Sequence, residues 1–510
     1  MTSAQWTTPS SRARTGCLTC RSRKKKCDER KPVCTACDSK SLRCEWQQHI
    51  KWKPPLVPLV HPPVFNSYFD TSSSGTSKPH FQKQDGRIFH IHDLLRSSPD
   101  YQVFQSTSNM PYCHPSPSCP PPRMVQPSLL PQMKNGDSNL LNHYLQRTAS
   151  CMDNGATTSN PFLVQLVPIA MSSEFIMQLI LAQSCAHRAI KQSEIIGTDV
   201  AVQYNKAVCA LRLAVNKFVT QTGHVDPLIL TVGILVMCFT ETTRGDTTGV
   251  IFNHITAANA LLPNALFAMV PPLPEDLRKF LVGYYIYTAC CSMISIDARG
   301  SQEITLDTQL VQMAESMARC GYVGSVCGCW LDLLLMIPVV FGIGRSRIQQ
   351  HTTVTFDQTE LPLIEHQIVH WKPNPAAALD VALAGYVFQQ AMLVYLYTAV
   401  EEFPAGPNGL YRENIDLAVG RAIQCLGQID PASPVNTSLC WPIAVVGSCA
   451  FDPGDQHTLR VKLDNMAQTI GIGNMIKTRE LLQYVWSRRP TGPLGLSEAM
   501  GDSGIFISFA

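Results

Sequence analysis

A chain of 510 residues with 45% apolar and only 15% charged residues carries enough hydrophobic material for a large core, which excludes a wholly disordered polypeptide. Its net charge of +3 hides an asymmetry: residues 1–53 carry +9 and the remainder −6. A basic head on a mildly acidic body suits a polyanion at one end and protein at the other. The opening residues, Met1-Thr-Ser-Ala-Gln-Trp-Thr-Thr-Pro9, hold no apolar run that would direct secretion, so cysteines are expected as thiols and not as a disulfide scaffold.

Residues 1–16, with Arg12 and Arg14, read as a flexible basic arm. Six cysteines follow, Cys17, Cys20, Cys27, Cys34, Cys37 and Cys44, spaced as C-x2-C-x6-C and, after six more residues, the same unit again. Thiolates suit zinc, which takes four ligands in a tetrahedron. Six thiolates fill two such shells only if two sulfurs are shared, and the repeat nominates Cys17 and Cys34, the first cysteine of each half. Two Zn2+ with six thiolates leave a formal charge of −2, which nearby cations offset. Arg21, Arg23, Lys24, Lys25 and Lys26 crowd the first half, whereas the equivalent stretch 38–43 offers only Lys40 and Arg43 against Asp38. Only the first half is therefore built to face phosphate. A core this small needs its metal, which contributes roughly 10–16 kcal/mol in finger peptides. No histidine occurs before His49, so mixed Cys/His fingers are poorly served.

The string from Cys17 to Asp28, then Lys31-Pro-Val-Cys34 and Cys37 to Cys44, resembles the fungal Zn2Cys6 binuclear zinc cluster transcription factors. The resemblance implies a short helix after the second cysteine lying in the major groove over a CGG triplet. It places Arg23 and Lys24 at base edges, gives Arg21 and Lys26 to phosphates or packing, and makes Pro32 the proline between the halves. Arg or Lys donating to guanine O6 and N7 contributes about 1–3 kcal/mol of discrimination. A cation on phosphate, the expected part of Lys25, adds salt-sensitive affinity that ignores sequence.

Residues 45–137 read as a Pro/Ser-rich linker: 15 of the 36 prolines fall within 54–134, and no apolar period survives there. That density also leaves no room for a coiled coil, so monomeric binding or a homodimer through the body is expected. Ile88–Leu95 could form a turn of helix on a partner, and Cys113 and Cys119 lie among prolines that disfavour a metal site.

From 138 to 489 the chain reads as an all-α regulatory domain of about a dozen helices. Asn160-Pro161 opens a helix over Phe162–Ile190, Asp226-Pro227 opens one that Gly245 stops, and Pro274-Glu275-Asp276 opens another towards Ile296. Further helices are expected near 304–320, 376–402, 411–428, 440–450, 456–470 and 474–488; 353–370 is ambiguous, and 490–510 reads as a C-terminal tail. The apolar runs 227–240 and 333–341 are shorter than the roughly 20 residues of a membrane span and are read as core helices, so no membrane partner is expected. No Asp-Asp pair, H-E-x-x-H, P-loop or G-x-S-x-G occurs, and the cysteines beyond the cluster sit mainly in apolar surroundings, so no enzyme is expected. Leu140-Leu-Asn-His-Tyr144, Asn160-Pro-Phe162, Pro168-Ile-Ala170, Glu241 to Asp246 before His254, Trp441 to Gly447 and Gly473 to Trp486 resemble the helical fungal-specific transcription factor domain.

The expectation is a small Zn2Cys6 metal-stabilised DNA-binding module, a disordered linker and a large all-α domain. The expected function is that of a nuclear, sequence-specific regulator of RNA polymerase II genes, with transcriptional co-regulators as partners and, on the resemblance alone, an inclination towards secondary-metabolite clusters. The rival is a zinc-stabilised module that recruits protein or RNA without preference among duplexes.

Overall fold

The computed structural model describes residues 19, 20, 23, 25, 27, 28, 30, 33–40 and 42–44 of the cysteine-rich segment, and 135–191, 198–220, 225–268, 272–349, 361–401, 409–489 and 491–510. The basic arm, Cys17, Arg21, Lys24, Lys26, nearly all of the expected linker with Ile88–Leu95, Cys113 and Cys119, and residues 353–360 lie outside the described residues. Two compact units result, 1–86 and 87–510.

Among the described residues of the first unit, Thr35–Asp38 form a short helix, α1, with Cys34 as its extended N-cap, and Thr19 and Cys20 are helical too. Its interior among the described residues is sulfur: Cys20, Cys34 and Cys37 are fully buried, with Cys27 and Cys44 packed against them.

The regular elements among the described residues of the second unit are all helical. Its elements are α2 (Asn135–His143), a π turn (Tyr144–Thr148), α3 (Ala149–Met152), a second π turn (Phe162–Leu166), α4 (Val167–Ser172), α5 (Glu174–Lys191), α6 (Thr198–Thr220), α7 (Pro227–Arg244), α8 (Val250–Phe267) and α9 (Glu275–Met293). There follow α10 (Thr308–Arg319), α11 (Leu331–Gln349), α12 (Leu361–Val369), α13 (Leu379–Val400), α14 (Arg412–Gln428), a 3-10 turn (Pro434–Ser438), α15 (Cys440–Gly447), α16 (Pro453–Thr469), α17 (Gly473–Arg488) and α18 (Gly492–Ser503).

Helix α7 follows its sequence signals closely. The Asp226 carboxylate accepts from Leu228 N at 2.8 Å, Pro227 takes the first helical position, and Gly245 closes the helix in the left-handed region at φ 64°. Its buried Thr231, Thr240, Thr242 and Thr243 each donate to the carbonyl four residues back, so their hydroxyls enter the core satisfied. Helices α7 and α13 are long and apolar enough to cross a membrane, yet both lie mostly buried within the body. A helix apolar on all faces is a core helix when others surround it, and α13 packs against α11, α12, α14, α15 and α18. At its centre Phe388 stacks between Trp330, at 4.7 Å, and Trp441, at 5.8 Å, both fully buried indoles.

Several expectations are corrected. The helix expected over Phe162–Ile190 is broken: Asn160 Oδ1 does accept from Phe162 N, but Ser173 turns extended (φ −135°, ψ 108°) and separates α4 from α5. Helix α2 begins at Asn135, inside the expected linker, and 361–369, left ambiguous, is helix. Helices α6 and α8 carry no expectation from the sequence. The largest correction is at 490–510, which forms no loose tail. Residues 492–503 are helical, and the chain beyond them enters the core with Phe509 fully buried. Phe506 N donates to Thr247 O at 2.9 Å, Ser295 Oγ donates to Ile507 O, and Asn474 Nδ2 donates to Ala510 O at 2.8 Å.

Candidate metal centre and nucleic-acid interface

Cys34 and Cys37 bracket the first turn of α1: Cys37 N and Asp38 N donate to Cys34 O at 3.0 and 2.9 Å. A helical turn carries side chains three apart to one side, so a C-x2-C unit places two sulfurs together. The described sulfurs form two triads, Cys20/Cys27/Cys34 and Cys34/Cys37/Cys44, each with all its sulfurs within 4.8 Å of one another. Cys34 belongs to both, the arrangement expected of a shared ligand. Cys20 Sγ stands 3.6 Å from Cys34 Sγ and, across the triads, 3.8 Å from Cys37 Sγ. Tetrahedral zinc with bonds near 2.3 Å separates its sulfurs by about 3.8 Å, so the donor set fits zinc in chemistry and in spacing. Among the described residues no cysteine is joined to another in a disulfide. The Cys34 amide points at Cys44 Sγ at 3.4 Å, a contact that stabilises a thiolate.

Two further contacts tie the halves together, and sequence spacing gave no sign of either. Thr19 Oγ1 donates to Arg43 O at 2.7 Å. The exposed Asp28 carboxylate accepts from Thr35 N at 3.1 and 3.2 Å and from Thr35 Oγ1 at 2.5 Å. Those hydrogen bonds from Thr35 hold the Asp28 carboxyl below its ordinary value. The signal available beforehand was only an aspartate directly after a cysteine.

Of the five cations expected on DNA, Arg23 and Lys25 are described. They sit in a turn after Cys20 closed by Arg23 N to Thr19 O at 3.4 Å and Lys25 N to Cys20 O at 3.0 Å. Lys25 is exposed. Arg23 is half-buried, and its Nη1 has no acceptor among the described residues.

Two polar clusters lie within the body. Glu241 is buried and accepts from Tyr204 Oη at 2.6 Å and Arg244 Nη1 at 2.8 Å, with His254 Nε2 3.8 Å away. Burial disfavours its charge, but His254, Arg244 and Tyr204 outweigh burial and hold its carboxyl below the ordinary value. His187 donates from Nε2 to Ile470 O at 2.9 Å, which leaves Nδ1 as the acceptor towards Thr148 Oγ1 at 3.1 Å and His143 Nε2 at 3.2 Å. Burial pushes its pKa down to about 4. Burial likewise raises the Cys290, Cys291, Cys327 and Cys440 thiols, the last two to about 12, which makes them inert core residues.

Residues 139–508 match the family model described as the fungal-specific transcription factor domain, and 15–53 that of the fungal Zn(2)-Cys(6) binuclear cluster domain. The chain is 56% identical over 41 residues to a transcriptional regulatory protein of Neurospora crassa, covering 8% of this chain and 6% of that protein. It is 67% identical over 33 residues to Transcription activator AMTR1 of Alternaria alternata, 6% of this chain and 4% of that one. White-opaque regulator 2 of Candida albicans is 52% identical over 44 residues, 9% and 10% of the two chains. The matched stretch thus spans a tenth or less of each of these relatives. No solved structure matches the chain.

Proposed function

The chain belongs to the fungal Zn2Cys6 transcription factors that carry the fungal-specific transcription factor domain, and from that premise we propose that it reads CGG-like half-sites at RNA polymerase II genes in the nucleus. It is a DNA-binding regulator of transcription that holds two zinc ions, and it is no enzyme. The ligands are Cys17, Cys20, Cys27, Cys34, Cys37 and Cys44, with Cys17 and Cys34 shared. The observation that carries this reading is the pair of sulfur triads meeting at Cys34.

In this reading zinc supplies a rigid frame, and the chain's own residues do the recognition. Arg23 and Lys24 donate to guanine edges; Arg21, Lys25 and Lys26 neutralise phosphate. Arg23 Nη1, which has no acceptor among the described residues, supports that role, since a turn outward would exchange a buried donor for guanine O6 or N7. The helical body takes co-regulators or a second copy of the chain. Genes of secondary metabolism are the pathway towards which the family resemblance inclines.

The test is selection from random duplex DNA with the full chain, with zinc and with a chelator. Enrichment of CGG-containing sites that vanishes with chelator is expected; zinc-independent or absent enrichment favours the recruiting module. Arg23→Ala or Lys24→Ala should relax base preference at one position. Lys25→Ala should weaken all sites alike and reduce the salt dependence by about one phosphate contact.

A further inference from the structure

The Asp28–Thr35 contact joins the halves of the module at its most sensitive point. Asp28 follows a cysteine of the first triad, and Thr35 follows Cys34, the sulfur common to both triads. Both Asp28 oxygens are engaged, by the Thr35 amide and by its hydroxyl. The hydroxyl must donate, because the ionised carboxylate can only accept. Thr35 is exposed, and Asp38 lies three residues on in the same turn, also exposed.

We propose that Thr35 is a regulatory phosphorylation site whose modification opens this clasp and lowers DNA binding. A Ser/Thr kinase would transfer the γ-phosphoryl group of ATP to Thr35 Oγ1, with ADP leaving and the hydroxyl proton passing to the kinase's base. The product has lost the donor and gained a charge of roughly −1.5 to −2. A phosphate at a helix start is ordinarily welcome, because first-turn amides point at it. At this position the Thr35 amide is already committed to Asp28, and the zinc–thiolate cluster carries a formal −2. The new dianion therefore faces a carboxylate at hydrogen-bonding distance and an anionic cluster one residue away. Repulsion displaces Asp28, and the turn bearing Cys34 and Cys37 loses its tie to the first half.

This inference rests on the DNA-binding reading above, and its test separates the two. The full zinc-loaded chain is prepared unmodified and with phosphothreonine incorporated at position 35, and both are titrated with the selected duplex and challenged with chelator. The unmodified chain should bind; if it does not, the DNA-binding reading fails first. The phosphorylated chain should bind at least about tenfold more weakly and release zinc faster. Thr35→Val, which removes the donor without adding charge, should fall between the two. Asp28→Asn in the phosphorylated chain should recover part of the loss, since the carboxylate is the named source of repulsion. Equal affinity of the two chains, or no recovery with Asp28→Asn, overturns the proposal. So does the absence of phosphate on the Thr35 peptide of protein purified from fungal cells.

Discussion

The two described units solve the problem of a stable interior with opposite materials. Among the described residues of the cysteine-rich unit the buried side chains are thiols, and the contact that ties its halves, Thr19 Oγ1 to Arg43 O, spans only 24 residues of chain. In the helical body the buried set is mainly aliphatic and aromatic, its thiols scattered among them, and its hydrogen bonds join residues more than 200 apart. A metal cluster makes a small segment foldable by a few strong local bonds. A packed core instead depends on many weak contacts gathered from the whole chain. The two units should therefore fail under different insults.

The largest effect is expected from removing metal. Chelation, or Cys34→Ser at the sulfur common to both triads, should abolish zinc-dependent DNA binding, since about 10–16 kcal/mol of folding energy goes with the metal. Far-UV circular dichroism should stay nearly unchanged, because the described helices lie almost entirely in the body. Loss of most helical signal on chelation would break the comparison.

The converse perturbation is smaller. Trp441→Ala empties a fully buried site against Phe388 and Tyr395 and should cost about 3–5 kcal/mol of the body's stability in denaturant melts. Zinc bound per chain should not change.

The smallest effect concerns pH. His187 has a folded pKa of about 4, below the ordinary 6.5, so the unfolded chain takes up its proton first. Its contribution is therefore complete above pH 6.5 and declines as pH falls from 6.5 towards 4. Denaturant midpoints followed by circular dichroism should fall across that window, and His187→Gln should flatten the fall.

What the sequence disclosed depended on how local the cause was. Cysteine spacing encodes coordination directly, and the cap at Asp226 and the stop at Gly245 act within one turn, so these were legible. Helix α8 was hidden by its own punctuation, since it starts after Gly249 at φ 76° and contains Pro263. Helix α18 carries Gly492 and Pro493 in its first turn and Gly495 and Gly501 within it, which read as breakers until burial of Leu494, Leu496 and Met500 is known. The π turn at Phe162–Leu166 and the break at Ser173 depend on how α4 and α5 pack, which no periodicity records. The Asp28–Thr35 clasp joins residues seven apart, and neither residue type announces it.

The burial of residues 505–510 has a consequence in time. Ser295 and Thr242 wait for Ile507 and Ser508, so the body cannot complete its core until synthesis has passed residue 508. The cysteine-rich segment has all its residues by position 44. At about 5–20 residues per second residues 45–510 take roughly 25–90 s to make. For that interval a nascent chain can hold zinc while its body is still open. A chain interrupted before residue 505 would keep its six cysteines but lack the partners of Ser295, Thr242 and Asn474.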